Sequence, residues 1–241
     1  MYQYPGIQRP LRRVGGCISG LVVLLLLAGV LGFFISRAHN GVSISVGPHP
    51  TIIGDRCTGN VTIQAGPASR VTFMGIFPQY TQDSASDTIE LTQCDGDITL
   101  IVPPEADLHM DVSDAITVLG VSGTMQLSTN GSRITLIGVT LEGKSKVDDN
   151  GGAVIFNGTI AQGSAPTISC NSGSMDLTLP ASSSFSLKIT GILGPLVSNF
   201  PGVQAPADST SDVQLAVGSN PSAARLTLEV NDTDIILNKG A

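Results

Sequence analysis

The 241-residue sequence predicts an all-β outer domain carried behind one N-terminal transmembrane helix. Within that class it favours a β-solenoid-like stack of strand-turn rungs, a β-roll or β-helix, with a β-sandwich as the alternative. Three observations lead there. Residues 14–36 are apolar and uncharged, the remainder reads as short alternating strands, and turn glycines recur ahead of those strands. The division that follows is a cytoplasmic tail at 1–13, a transmembrane helix at 14–36, a juxtamembrane linker with room for a first strand at 37–56, and a repeat-containing extracytoplasmic β domain at 57–241.

The run from Val14 to Ser36 centres on Leu21, Val22, Val23, Leu24, Leu25, Leu26 and Leu27 and ends on Phe33, Phe34 and Ile35. At ~1.5 Å rise per residue such a helix reaches roughly 34 Å, enough to cross a hydrocarbon core of about 30 Å. Arg9, Arg12 and Arg13 crowd its leading flank, whereas Arg37 stands alone on the other side before Asp55. Positive charge stays cytoplasmic, so the tail is inside and the large domain outside. A signal peptide cleaved near Ser36-Arg37-Ala38 is the competing reading, but the run exceeds the roughly 7–15 residues of a signal core. Cys17 precedes the apolar core, whereas a lipidated cysteine would follow it. Gly16 and Gly20, then Ala28 and Gly32, set small residues at i, i+4 and allow helix pairing into a homodimer.

All nineteen acidic residues follow the apolar run, against nine basic ones, which leaves the outer domain at a formal charge of −10. Such a domain lacks the basic patch that nucleic-acid binding needs. Anionic headgroups repel it too, so its bilayer contact is the 14–36 helix. Seven Phe, three Tyr and no Trp leave little with which to stack neutral sugars.

Strand signals recur along the outer domain at Val61-Thr62-Ile63, Ile98-Thr99-Leu100, Met125-Gln126-Leu127, Ile134-Thr135-Leu136, Val154-Ile155-Phe156 and Leu226-Thr227-Leu228. Their period of two and β-branching mark half-buried strands. Thr58-Gly59, Asp95-Gly96, Ser122-Gly123 and Ser172-Gly173 precede such strands, and Asn130-Gly131 and Asn150-Gly151 start the same pattern one residue earlier. An ungapped repeat at an offset of 77 aligns Gly96, Ile98, Leu100, Val102, Leu108, Met110 and Val112 with Gly173, Met175, Leu177, Leu179, Phe185, Leu187 and Ile189. Pro103 and Pro180 break the strand at the same place in each copy. With roughly 20 residues per coil, 77 corresponds to about four coils.

The stretch from Ile98 through Phe200 resembles the putative-adhesin domains of bacterial envelope proteins, a family of the DUF4097 type. The matching features are Val102-Pro103, the Ser122-Gly123 and Asn130-Gly131 turns, Ser172-Gly173 ahead of Leu177-Thr178-Leu179-Pro180, and the stretch Phe185 to Phe200. The resemblance covers about half of the chain. It implies a right-handed stacked β-fold outside a bacterial cell, with roles in adhesion or envelope-stress sensing, and carries no catalytic residue. At Gly191-Ile192-Leu193-Gly194-Pro195 the chain is more apolar than the family's small polar turn.

Candidate chemistry is sparse. His39, His49 and His109 are the only histidines, and alternation with Leu108 and Met110 points His109 to solvent. No nucleophile elbow, supported triad or zinc spacing occurs, so no catalytic residue and no cofactor is assigned. Asp148 and Asp149, beside Asn150, are the first choice for calcium among the acidic turns, ahead of Asp95-Gly96-Asp97 and Asn231-Asp232-Thr233-Asp234. Cys57 and Cys94 share a register relative to their turn glycines that Cys170 lacks, which favours a Cys57–Cys94 bridge. Two coils of separation would instead hold them near 10 Å apart as free thiols.

The sequence therefore favours a non-enzymatic, single-pass surface protein that binds an envelope or surface protein or glycan, or senses the envelope. A cell-wall spacer is one alternative. A polysaccharide-active β-helix enzyme is the other, and its only candidate cluster is Asp95, Asp97 and Asp176.

Overall fold

The computed structural model describes residues 41–75, 79–203, 212–220 and 223–240. The tail, the 14–36 run, Cys17 and His39 lie outside the described residues. The unit considered is Gly41–Ala241. No helix among the described residues is long and apolar enough to cross a membrane.

Among the described residues nineteen strands form one sheet that does not close on itself. The first ten are β1 (Val42–Ser45), β2 (Thr51–Cys57), β3 (Val61–Ala65), β4 (Arg70–Gly75), β5 (Gln79–Asp83), β6 (Thr88–Gln93), β7 (Ile98–Val102), β8 (Asp107–Val112), β9 (Ile116–Leu119) and β10 (Ser122–Gly123). They are followed by β11 (Met125–Thr129), β12 (Arg133–Leu141), β13 (Lys146–Asp149), β14 (Ala153–Ile160), β15 (Thr167–Asn171), β16 (Ser174–Leu179), β17 (Phe185–Ser198), β18 (Val213–Val217) and β19 (Arg225–Lys239). Among the described residues the first strands, β1 and most of β2, lie within 37–56, the stretch in which the sequence leaves room for a first strand.

The parallel strands fall into two ribbons. One runs β6, β2, β8, β11, β13, β15, then the first halves of β19 and β17. The other runs β7, β3, β9, β12, β14, β16, then the second halves of β19 and β17. A rung is one strand from each ribbon, joined through a corner and followed by a return turn. Alternation decides what points inward. Leu100, Ile63, Val118, Leu136, Phe156, Leu177 and Leu237 stack in register inside the second ribbon, none more than 1% exposed. Burying each such side chain is worth roughly 1.5–3 kcal/mol, and a one-residue slip would turn the whole column outward.

Spatial order departs from chain order at both ends. The rung β2–β3 lies between β6–β7 and β8–β9, and β19 lies between β15–β16 and β17. The two jumps are the Val102 to Asp107 and Leu179 to Phe185 turns, each opened by proline. These are the paired segments of the 77-residue repeat, so that repeat marks where the chain skips a rung that another segment fills. Four coils of chain, β7 to β9, β12, β14 and β16, separate the copies. Antiparallel strands close the exposed edges: β5 on β6, β4 on β7, β1 on β4, and β18 on β17. The outermost strands β1, β5 and β18 are four or five residues long, and short edge strands discourage pairing with another chain.

The residues that would have filled an intervening coil form β4 and β5 instead, so Cys57 and Cys94 lie on adjacent rungs. Their Cα atoms are 4.9 Å apart and a disulfide joins them.

Candidate functional site

One corner carries the most regular polar construction. Asn130, Asn150, Asn171 and Asn231 occupy equivalent outward positions on four successive rungs. The Asn150 amide donates to Asn130 Oδ1 at 3.2 Å, Asn171 to Asn150 at 2.9 Å, and Asn231 to Asn171 at 2.6 Å. The next rung ends this ladder with Ile192, which pairs with Asn231 and is half exposed. At the other end the Thr58 hydroxyl donates to Asp95 at 3.2 Å. Asn60 donates to Asp97 Oδ1 through its main-chain and side-chain amides, both at 2.9 Å. These bonds, the main-chain one foremost, hold the Asp97 carboxyl below the ordinary carboxylate value.

Backbone crowding selects the corner glycines. Gly59, at φ +85°, would bring a Cβ within 2.5 Å of the Gly96 carbonyl carbon on the neighbouring rung. At the Ser172-Gly173 corner the positive φ belongs to Ser172, and Gly173 is required because a Cβ there would meet the Gly152 carbonyl oxygen at 1.9 Å. Ser122-Gly123 is not a corner of this kind: it forms β10 on the return side, paired with Thr140 and Leu141.

Behind the ladder sits a buried polar pair. The Thr129 hydroxyl donates to Asp149 Oδ1 at 2.9 Å, while Asp149 Oδ2 is fully buried without a hydrogen-bond partner among the described residues. Cys170 follows Asp149 in the same inward column. Burial pushes its thiol above the ordinary thiol value and the carboxylates of Asp149 and Asp148 add to this, against hydrogen bonds from Thr233 and Ser174 that lower it.

The first ribbon presents a second outward column: Asp111, Ser128, Asp148, Ser169, Glu229 and Thr190 in register. Ser169 donates to Glu229 at 3.2 Å and Lys146 pairs with Asp148 at 3.1 Å. Between this column and the ladder runs an open groove of about 330 Å³, lined by Asp148, Ser169, Asn171, Thr190, Glu229 and Asn231 among others.

The sequence-derived candidates are dispersed. Asp148 faces outward and Asp149 inward, so alternation along β13 keeps them from converging on one ion. No group of three His, Cys, Asp or Glu among the described residues could hold a metal. Asp176 is flanked by Ile155 and Ile236 and accepts from Asn238, whereas Asp95 and Asp97 belong to the rung at the opposite end. The suggested Asp95, Asp97 and Asp176 cluster therefore does not form. His109 is exposed beside Ile53 and Gln126, and His49 approaches Glu105 at 3.2 Å in solvent.

Sequence reasoning missed two features. The ladder had a signal, since each asparagine lies just ahead of its corner turn and 20 or 21 residues separate Asn130, Asn150 and Asn171. The second feature is a larger cleft of about 1030 Å³ at the end of the first ribbon. It is assembled from segments near residues 164, 187, 215 and 225, and had no local signal.

No family model matches the chain, and no curated protein matches it. Among solved structures, a "putative cell adhesion protein" from Clostridium sporogenes is similar at a TM-score of 0.47 and 8% identity. The match covers 83% of this chain and 99% of that one.

Proposed function

We propose that this chain is a non-enzymatic, membrane-anchored surface module of the bacterial envelope, an adhesin or envelope-sensing domain of the DUF4097 type. It binds a protein or glycan partner through the outward columns of a solenoid-like stack. The supporting observation is the in-register display of small polar side chains, the asparagine ladder beside the Asp111 to Thr190 column. Its regular repeat presents polar groups at about 4.8 Å intervals, suited to an extended or repetitive partner. The anchor and its orientation rest on the 14–36 run and its flanking arginines. The test is photo-crosslinking from outward positions such as Ser128 on intact cells, with the same full chain assayed for glycan cleavage. A specific envelope adduct without cleavage supports the reading; turnover of a glycan contradicts it.

A further inference from the structure

The larger cleft lies where β17, β18 and the start of β19 meet. Its floor is built from outward positions: Ser186 and Lys188 of β17, Gln214 and Ala216 of β18, and Arg225 and Thr227 of β19. One wall is the turn at Gly163, Ser164 and Ala165. That wall is bonded to the floor, since the Ser164 carbonyl accepts from the Arg225 amide at 2.9 Å and the Gly163 amide donates to the Ala223 carbonyl.

The charge of the cleft opposes that of the domain. Acidic residues outnumber basic ones nineteen to nine after the apolar run, yet Lys188 and Arg225 are the charged residues lining this cleft among the described residues. Neither has an ion-pair partner among them. Pairing of Ser186 with Arg225 and of Lys188 with Thr227 sets the two cations on neighbouring strands, two residues out of step. Strand spacing and rise then separate their Cα atoms by roughly 8 Å. Glu229, and Asp212 just before β18, stand one outward position beyond Thr227 and Gln214 and bound the positive zone on the corner side.

We propose that this cleft binds a segment of acidic polysaccharide, with Lys188 and Arg225 receiving its carboxylate or phosphate groups. The inference rests on the surface-binding reading and specifies its ligand class. Two cations without a direct ion-pair partner favour an anion over a neutral ligand. Ser164, Ser186, Gln214 and Thr227 add polar groups that match sugar hydroxyls. Among the described residues no aromatic side chain lines the cleft to stack a nucleobase, and the surrounding negative field opposes the denser charge of nucleic acid.

The experiment measures binding of the full chain, held in neutral detergent micelles, to polygalacturonate, to a phosphorylated mannan polymer, to poly-glutamate and to neutral dextran. Polygalacturonate or the phosphate polymer is expected to bind, dextran not, and the tighter of the two names the anion. K188E/R225E is expected to weaken binding about tenfold or more, K188Q/R225Q by less, and R70E, at the far cap, by under about twofold. The glutamine pair preserves the test if charge reversal disturbs folding, which melting temperature reports. Equal binding by wild type and both pair variants would overturn the proposal, as would equal loss in R70E or equally tight poly-glutamate binding. Ser128 crosslinking that persists in K188E/R225E would place the failure in the cleft assignment alone.

Discussion

Asp149 is the residue at which the interior is least well compensated. Its Oδ1 accepts from Thr129, but Oδ2 is buried without a partner among the described residues, and a buried unpaired carboxylate oxygen is costly. Thr129→Val strips Oδ1 of its partner as well and is expected to cost about 1–3 kcal/mol in urea unfolding. Cys170, next in that column, has its thiol raised chiefly by burial. A raised folded value favours the protonated form, so its contribution is fully present below the unfolded thiol value of about 8.5 and lost as pH rises through the folded value. The wild type should lose melting temperature on the alkaline side faster than Cys170→Ala, and parallel pH profiles for the two would contradict this.

At the scale of the element, the asparagine ladder makes its own prediction. Asn150 bonds both neighbours, whereas Asn130 bonds one. With roughly 0.5–1.5 kcal/mol net per hydrogen bond, Asn150→Ala should cost about 1–2 kcal/mol and more than Asn130→Ala. Equal losses would show the bonds to be energetically idle. Much of this element was legible: alternation placed the strands, and the turns at Gly59, Gly96, Gly131 and Gly151 placed the corner. Two things were not. The Ser113-Asp114 corner has no glycine, so its rung left no mark, and Ser122-Gly123 on the return side imitated the missing turn. The register of Cys57 and Cys94 was readable, but their adjacency was not, because β4 and β5 take up chain that a simple coil count assigns to another rung.

Across the whole molecule, a local pattern specifies each rung and long-range pairing specifies their order. β2–β3 and β19 fill positions that the chain skips, and nothing within either segment announces it. The larger cleft depends on the second insertion, because Lys188 and Arg225, distant in the chain, become neighbours only where β19 pairs with β17. The proposed role joins this domain to an anchor read from the 14–36 run: an outward module that works by binding. Photo-crosslinking on intact cells tests that claim most directly, with benzoylphenylalanine at Ser128 or Thr135 of the full chain. A discrete light-dependent adduct with an extracytoplasmic envelope component, formed from both positions, is the expected result. Adducts confined to cytoplasmic components, or no adduct together with cleavage of a glycan by the same chain, would contradict it.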